Sequence, residues 1–210
     1  MSEICHALHA LVNTLPRFRF PFISSKLPRN GIYVLFEDGE IAHGGARVVR
    51  VGTHTGSNQL GSRLEQHFLR ENKDRSIFRK NIGRALLNKE GDPFIHDWEL
   101  DLTTHAAKVR YAGSIDAEKQ HQVERKVTEY IQAHFQFAIF EVPQKEERLI
   151  LESRMISTVS WCEECKPSEV WLGLYSPKDK ICESGLWIVN ELYKQPLTEG
   201  DLAHLQALIH

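Results

Sequence analysis

Apolar positions change their spacing several times along the chain, and each change marks an element. Ile4, Leu8, Leu11, Val12 and Leu15 recur at helical intervals behind Ser2, predicting a short N-terminal helix that Pro16 ends. Pro21 and Pro28 mark an irregular arm. Gly31 to Glu37 is a continuous apolar run, predicting a buried strand. Asp38-Gly39 is a turn signal, 40–45 reads as a glycine-rich loop, and Arg47 to Gly52 predicts a second strand antiparallel to the first. A polar loop, 53–59, leads into a helix from Leu60 to Glu71 with Leu60, Leu64 and Phe68 inward. Another helix follows from Ile77 to Asn88, with Phe78, Ile82, Ala85 and Leu86 inward. Gly91-Asp92-Pro93 breaks the chain. Short strands are expected over 97–102 and 108–111, then an amphipathic helix from Asp116 to Phe135 and a third strand from Phe137 to Val142.

The helix expected from Gln144 to Ser160 carries a flaw in its pattern. Its stripe runs Leu149, Glu152, Ile156, Val159, so a carboxylate interrupts the apolar seam. Burying an ionised acid costs several kcal/mol unless something positive compensates it. Arg63 and His67, four apart on the helix after the second strand, share one face.

The 210 residues suit one domain, 1–210, with a substantial insertion. No apolar run would span a bilayer, and the first fifteen residues lack the basic start and apolar stretch of a signal peptide, so a soluble cytoplasmic protein is expected. Net charge is −2. That argues against a nucleic-acid-coated protein, yet the charge is uneven. Arg17, Arg19, Lys26 and Arg29 stand without acids in 17–30, and 61–89 is also locally basic, which suits an enzyme that binds and then releases nucleic acid. Of the four cysteines, Cys162 and Cys165 form a CxxC. No second half of a zinc ligand set follows at finger or ribbon spacing, so zinc is not expected and reduced thiols are.

Gly31-Ile32-Tyr33, then Val51-Gly52, then Arg63, His67 and a buried Glu152 resemble the GIY-YIG nucleases in residue type and order. The resemblance covers about 30–70 and 137–160. It implies an α+β fold with a small three-stranded antiparallel sheet flanked by helices, a helical insertion (71–136), an N-terminal arm (1–29) and a C-terminal extension (161–210). It also implies a Mg2+- or Mn2+-dependent endonuclease that hydrolyses DNA phosphodiester bonds, and the segments appended to that core point to a self-contained, restriction-like cutter rather than a repair subunit. In that scheme Tyr33 takes or relays the proton of the attacking water, Arg63 holds the scissile phosphate, His67 bonds the tyrosine oxygen, and Glu152 carries the metal ion. Arg50, Arg79, Lys80 and Asn190 are the expected nucleic-acid contacts, with the helix start at Ser76 helping. A homodimer would suit a double-strand cut. Arg50 stands where the family usually has a second tyrosine. It supplies a second positive charge to the site, or it marks a catalytically impaired nucleic-acid-binding module on the same fold.

Overall fold

The long first strand divides the molecule into two layers. The computed structural model describes residues 2–111 and 113–210. Strands β1 (Gly31–Ala42), β2 (Gly45–Gly52) and β3 (Phe135–Glu141) form an antiparallel sheet in the order β2-β1-β3, the three-stranded antiparallel arrangement expected from the sequence. Side chains alternate across a strand, so Ile32, Val34 and Phe36 enter one core while Tyr33 and Leu35 enter the other. Helices α1 (Ser2–Asn13), α7 (Lys145–Ser160) and α9 (Glu199–Ile209) contribute to the first core. Helices α2 (Leu60–Phe68), α3 (Ile77–Glu90) and α6 (Ala117–His134) contribute to the second.

The β1–β2 connection differs from expectation. Both strands run on past Asp38-Gly39 and meet at His43-Gly44, a two-residue turn with φ of 52° and 75°. Two consecutive positive φ values match the right-handed twist of a hairpin. Asp38-Gly39 instead falls where the strand register shifts, with Gly39 at φ 87°. The stretches expected as strands near 97–102 and 108–111 contain α4 (Ile95–Trp98) and α5 (His105–Arg110). Both are short helical turns, and α4 packs on α3: Trp98 Nε1 donates to the Lys80 carbonyl at 2.9 Å. A Cβ at Gly83 would meet that indole at 2.3 Å, so α3 needs a glycine there. Helix α2 also ends earlier than expected, at Phe68, and a 3-10 turn, Lys73–Arg75, follows.

The last fifty residues close over β1. Trp171 and Trp187, flanking α8 (Asp179–Ser184), both donate their indole N–H to Glu37 Oε2, at 2.7 and 2.8 Å, and Tyr130 donates to Glu37 Oε1. Burial pushes the Glu37 carboxyl above its usual range, and these donors oppose the shift. The aromatic tract at 171–175 is therefore core at its start, with Trp171 and Leu172 buried. Among the described residues no helix is long and apolar enough to cross a membrane.

Candidate active site

In the β1–β2 ladder Tyr33 lies opposite Gly52 and Leu35 opposite Arg50. The tyrosine ring crosses directly over Gly52. A Cβ there would meet Tyr33 Oη at 2.2 Å and Cζ at 2.3 Å, so the glycine is required for Tyr33 to lie flat across the strand end. Helix α2 brings His67 to the same point, with Nε2 2.7 Å from Tyr33 Oη. The other ring nitrogen, Nδ1, is 2.7 Å from Ser76 Oγ. Ser76 is the N-cap of α3, its hydroxyl accepting the Arg79 N–H at 3.2 Å. The imidazole is thus fixed at both edges by groups that are themselves fixed. Burial holds the His67 pKa well below the usual histidine value, and the charges of Arg63, Arg50 and Arg79 add to this. His67 is therefore neutral, with one ring nitrogen donating and the other accepting.

Arg63 sits one turn before His67, half-buried, and its Nη1 donates to Gln66 Oε1 at 3.0 Å and to the Arg75 carbonyl at 3.1 Å. It opens onto a cleft of about 400 Å³ that Thr53, His54, Thr55, Gln59, Ser62 and Gln66 also line. Glu152 arrives from the opposite layer, on α7. Its Oε1 accepts the Thr53 N–H at 2.9 Å, just past the end of β2. Burial raises the Glu152 pKa, against the opposing charge of Arg50 and the Thr53 hydrogen bond.

Tyr33, Arg63, His67 and Glu152 thus converge on one end of β2 from separate elements. Other expectations need correction. Arg50 belongs to the site but is buried. Its Nη1 donates to the Trp187 carbonyl, its guanidinium lies 5.4 Å from the Phe78 ring centroid, and its Nε has no partner among the described residues. It is an internal counter-charge to Glu152, not an exposed phosphate contact. Arg79 is 0% exposed and pairs with Glu124 at 2.8 Å, and Lys80 Nζ donates to the Glu99 carbonyl at 2.8 Å. Both point inward and brace α3 against its neighbours, so neither meets a phosphate. Ser76 is likewise buried, occupied by the cap and by His67. Asn190 is exposed, next to Glu191, whose Oε2 accepts from Ser153 Oγ at 2.5 Å. The stripe on α7 is rotated from the expected one. Leu151, Met155, Ile156 and Val159 are buried, and Glu152 is half-buried at their edge. Arg148 and Arg154, the two arginines on α7, are engaged with the Val142 and Pro143 carbonyls and with Asp201, so neither pairs with Glu152.

Two cleft residues escaped the sequence reading. Thr53 supplies the amide that anchors Glu152, and no side-chain pattern could signal it. His54 Nδ1 lies 2.6 Å from the Gly56 carbonyl, while its buried Nε2 has no partner among the described residues. Burial lowers its pKa, so Nε2 offers an acceptor at the cleft. Its signal was a histidine in a polar loop two residues after Gly52.

A hard divalent cation fits this donor set. The Glu152 carboxylate is partly desolvated, has one oxygen pinned by an amide, and presents oxygen rather than sulfur. A family model described as a GIY-YIG domain matches residues 3–210. Comparison with curated proteins and with solved structures finds no match. With a match across nearly the whole chain, on a three-stranded sheet that carries Tyr33, His67 and Glu152 at one strand end, this chain belongs to the GIY-YIG nuclease family.

Proposed function

We propose that this protein is a divalent-metal-dependent endonuclease that hydrolyses DNA phosphodiester bonds, as a self-contained cutter of restriction type. The observation that carries the reading is the 2.7 Å Tyr33–His67 hydrogen bond, laid across Gly52 and one residue from the amide that holds Glu152. A phosphate in the cleft meets Arg63, whose planar fork holds two oxygens and offsets charge that develops on them. The attacking water gives its proton to the Tyr33 oxygen as the tyrosine's own proton passes to His67 Nε2. This direction needs the tautomer in which Nδ1–H donates to Ser76 Oγ. The imidazole takes the proton only transiently, because burial and three arginines disfavour its charged form. Arg50 supplies fixed positive charge inside the site. Glu152 would hold Mg2+ or Mn2+, which when bound supplies Lewis-acid stabilisation of the departing 3′ oxygen. In a homodimer each subunit would address one strand.

One observation favours a second reading, an impaired nucleic-acid-binding module. Tyr33 and His67 are 1% and 0% exposed, and Arg50 replaces the usual second tyrosine. The experiment that decides is incubation of the purified chain with supercoiled plasmid and with single-stranded DNA, in Mg2+ or EDTA, beside Glu152→Ala. Mg2+-dependent nicking or linearisation that vanishes in the variant supports the nuclease. A gel shift without cleavage under Mg2+ and Mn2+ supports the binding module and overturns the nuclease.

A further inference from the structure

The CxxC that lacked a partner in the sequence finds one on the far side of the sheet from Tyr33. Cys5 and His9 come from α1, His43 from the hairpin turn, and Cys162 and Cys165 from the segment after α7. Donor atoms of Cys5, His9, His43 and Cys165 all lie within 4.8 Å of one another. Cys162 joins them, its Sγ 3.4 Å from His43 Nε2. Cys5 Sγ and Cys165 Sγ are 3.4 Å apart, too far for a disulfide and close to the edge of a tetrahedron around a zinc ion, about 3.8 Å for Zn–S bonds of about 2.3 Å.

We propose that this protein binds a structural zinc ion through Cys5, His43, Cys162 and Cys165, a site independent of the nuclease reading. With Cys162 beside His43 the cluster offers five donors, one more than tetrahedral zinc takes, and hydrogen bonding identifies the spare. His9 Nδ1 donates to the Cys5 carbonyl at 2.9 Å, and His9 Nε2 already accepts the Val48 N–H at 3.2 Å. Both of its nitrogens are therefore spoken for. His43 differs. Its Nε2 faces the thiols, and its Nδ1 lies 3.6 Å from the Glu164 carboxylate, the outer partner that orients a metal-bound imidazole. Its side chain is 1% exposed although it sits on a turn tip, a position that turn chemistry would otherwise fill with a solvent-facing asparagine. Cys165 N–H donates to the Cys162 carbonyl at 3.2 Å, which turns the Cys-x-x-Cys segment back on itself. All four ligands are enclosed, leaving no open position for water, so the ion would be structural. It would tie the first helix, the hairpin and the C-terminal extension together across 160 positions of sequence.

The test is metal analysis of the full chain after dialysis, together with a Co2+ titration of chelator-treated protein read by its thiolate-to-cobalt charge-transfer band. About one zinc per chain, and a tetrahedral cobalt spectrum that appears with it, are expected. Cys162→Ser, Cys165→Ser and His43→Ala lose the metal, whereas His9→Gln and Cys182→Ser keep it. A wild-type chain that retains no zinc and shows no charge-transfer band overturns the proposal, as does a Cys5–Cys165 disulfide in its place. Zinc that survives Cys162→Ser but is lost in His9→Gln overturns the ligand assignment. Should the serine variants fail to fold, the cobalt titration of the wild-type chain decides alone.

Discussion

Both faces of one small sheet gather histidines, but they build opposite kinds of centre. On the Tyr33 face, His67 is held between a strand tyrosine and a helix-capping serine, and the cluster opens through Arg63 onto a cleft. On the other face, the donor atoms of Cys5, His9, His43 and Cys165 lie within 4.8 Å of one another, with Cys162 against His43, beside residues of the main core. The first arrangement keeps a proton path and an approach for substrate. The second offers only coordination. The lesson is that similar residue types acquire function through what their second donor atom is tied to and whether space is left beside them.

The largest expected effects are reciprocal losses. Tyr33→Phe and Glu152→Ala abolish Mg2+-dependent cleavage while circular dichroism and melting stay near wild type. Stripping the zinc with chelator and then returning the chain to Mg2+, or Cys165→Ser, does the converse, lowering the melting temperature by roughly 10 °C or more with the rate per folded molecule in Mg2+ kept. Full cleavage by Glu152→Ala in Mg2+ would remove that residue from the mechanism. Loss of cleavage in saturating Mg2+ by a zinc-stripped chain whose melting is unchanged would merge the two centres. Next in size is Arg63→Ala, expected to cost at least about two orders of magnitude in rate, as removal of one charge-stabilising donor does. A change of only a few-fold would put the phosphate elsewhere in the cleft.

The two centres also differ in how far sequence could reveal them. Tyr33, Gly52, Arg63 and His67 lie within 35 residues on adjacent elements, and helical or ladder spacing is enough to bring them together. Glu152 betrayed itself as a charge in an apolar stripe, although the true stripe is rotated toward Leu151 and Met155. The thiol and imidazole cluster had no such local mark. Cys5, His43 and Cys162 meet only because α1 and the end of α7 pack on the same side of β1, and no spacing rule carries that information. Arg79 and Lys80 failed for a related reason. Their charge read as surface until Glu124 and Glu99, 45 and 19 positions away, came in to cover them. The hairpin turn was misplaced because Asp38-Gly39 is the stronger local signal, while the extra β1 and β2 residues pair only as part of the full ladder.

A subtler way to sharpen the contrast is Gly52→Ala. The added Cβ would sit 2.2 Å from Tyr33 Oη, so the ring must tilt away from His67. Overpacking of this kind costs about 1–3 kcal/mol. The rate should fall at least about ten-fold, since small misplacements of a reacting group are costly. Zinc content should stay unchanged. Full activity would mean that the Tyr33–His67 contact is not needed for cleavage.

The smallest effect separates the charges of the cleft by pH. His67 in the folded chain has its pKa well below the ordinary value of about 6.5. Below that pH the unfolded chain takes up a proton that the folded chain refuses. The stability contributed by neutral His67 is therefore complete above about pH 6.5 and lost as pH falls toward the folded value, with a slope of up to about 1.4 kcal/mol per pH unit. Glu152 acts in the opposite sense. Its raised pKa lets the folded chain bind a proton before the unfolded one, so stability is gained as pH falls toward the ordinary carboxylate value. Denaturant titrations from pH 7 to pH 5 should show His67→Gln with a flatter acid loss than wild type and Glu152→Gln with a steeper one. Parallel curves for wild type and His67→Gln would mean that the imidazole takes up its proton as readily in the folded chain as in the unfolded one. The relay from Tyr33 to His67 would then fail as pH falls through about 6.5, because a doubly protonated ring has no acceptor left for the tyrosine proton.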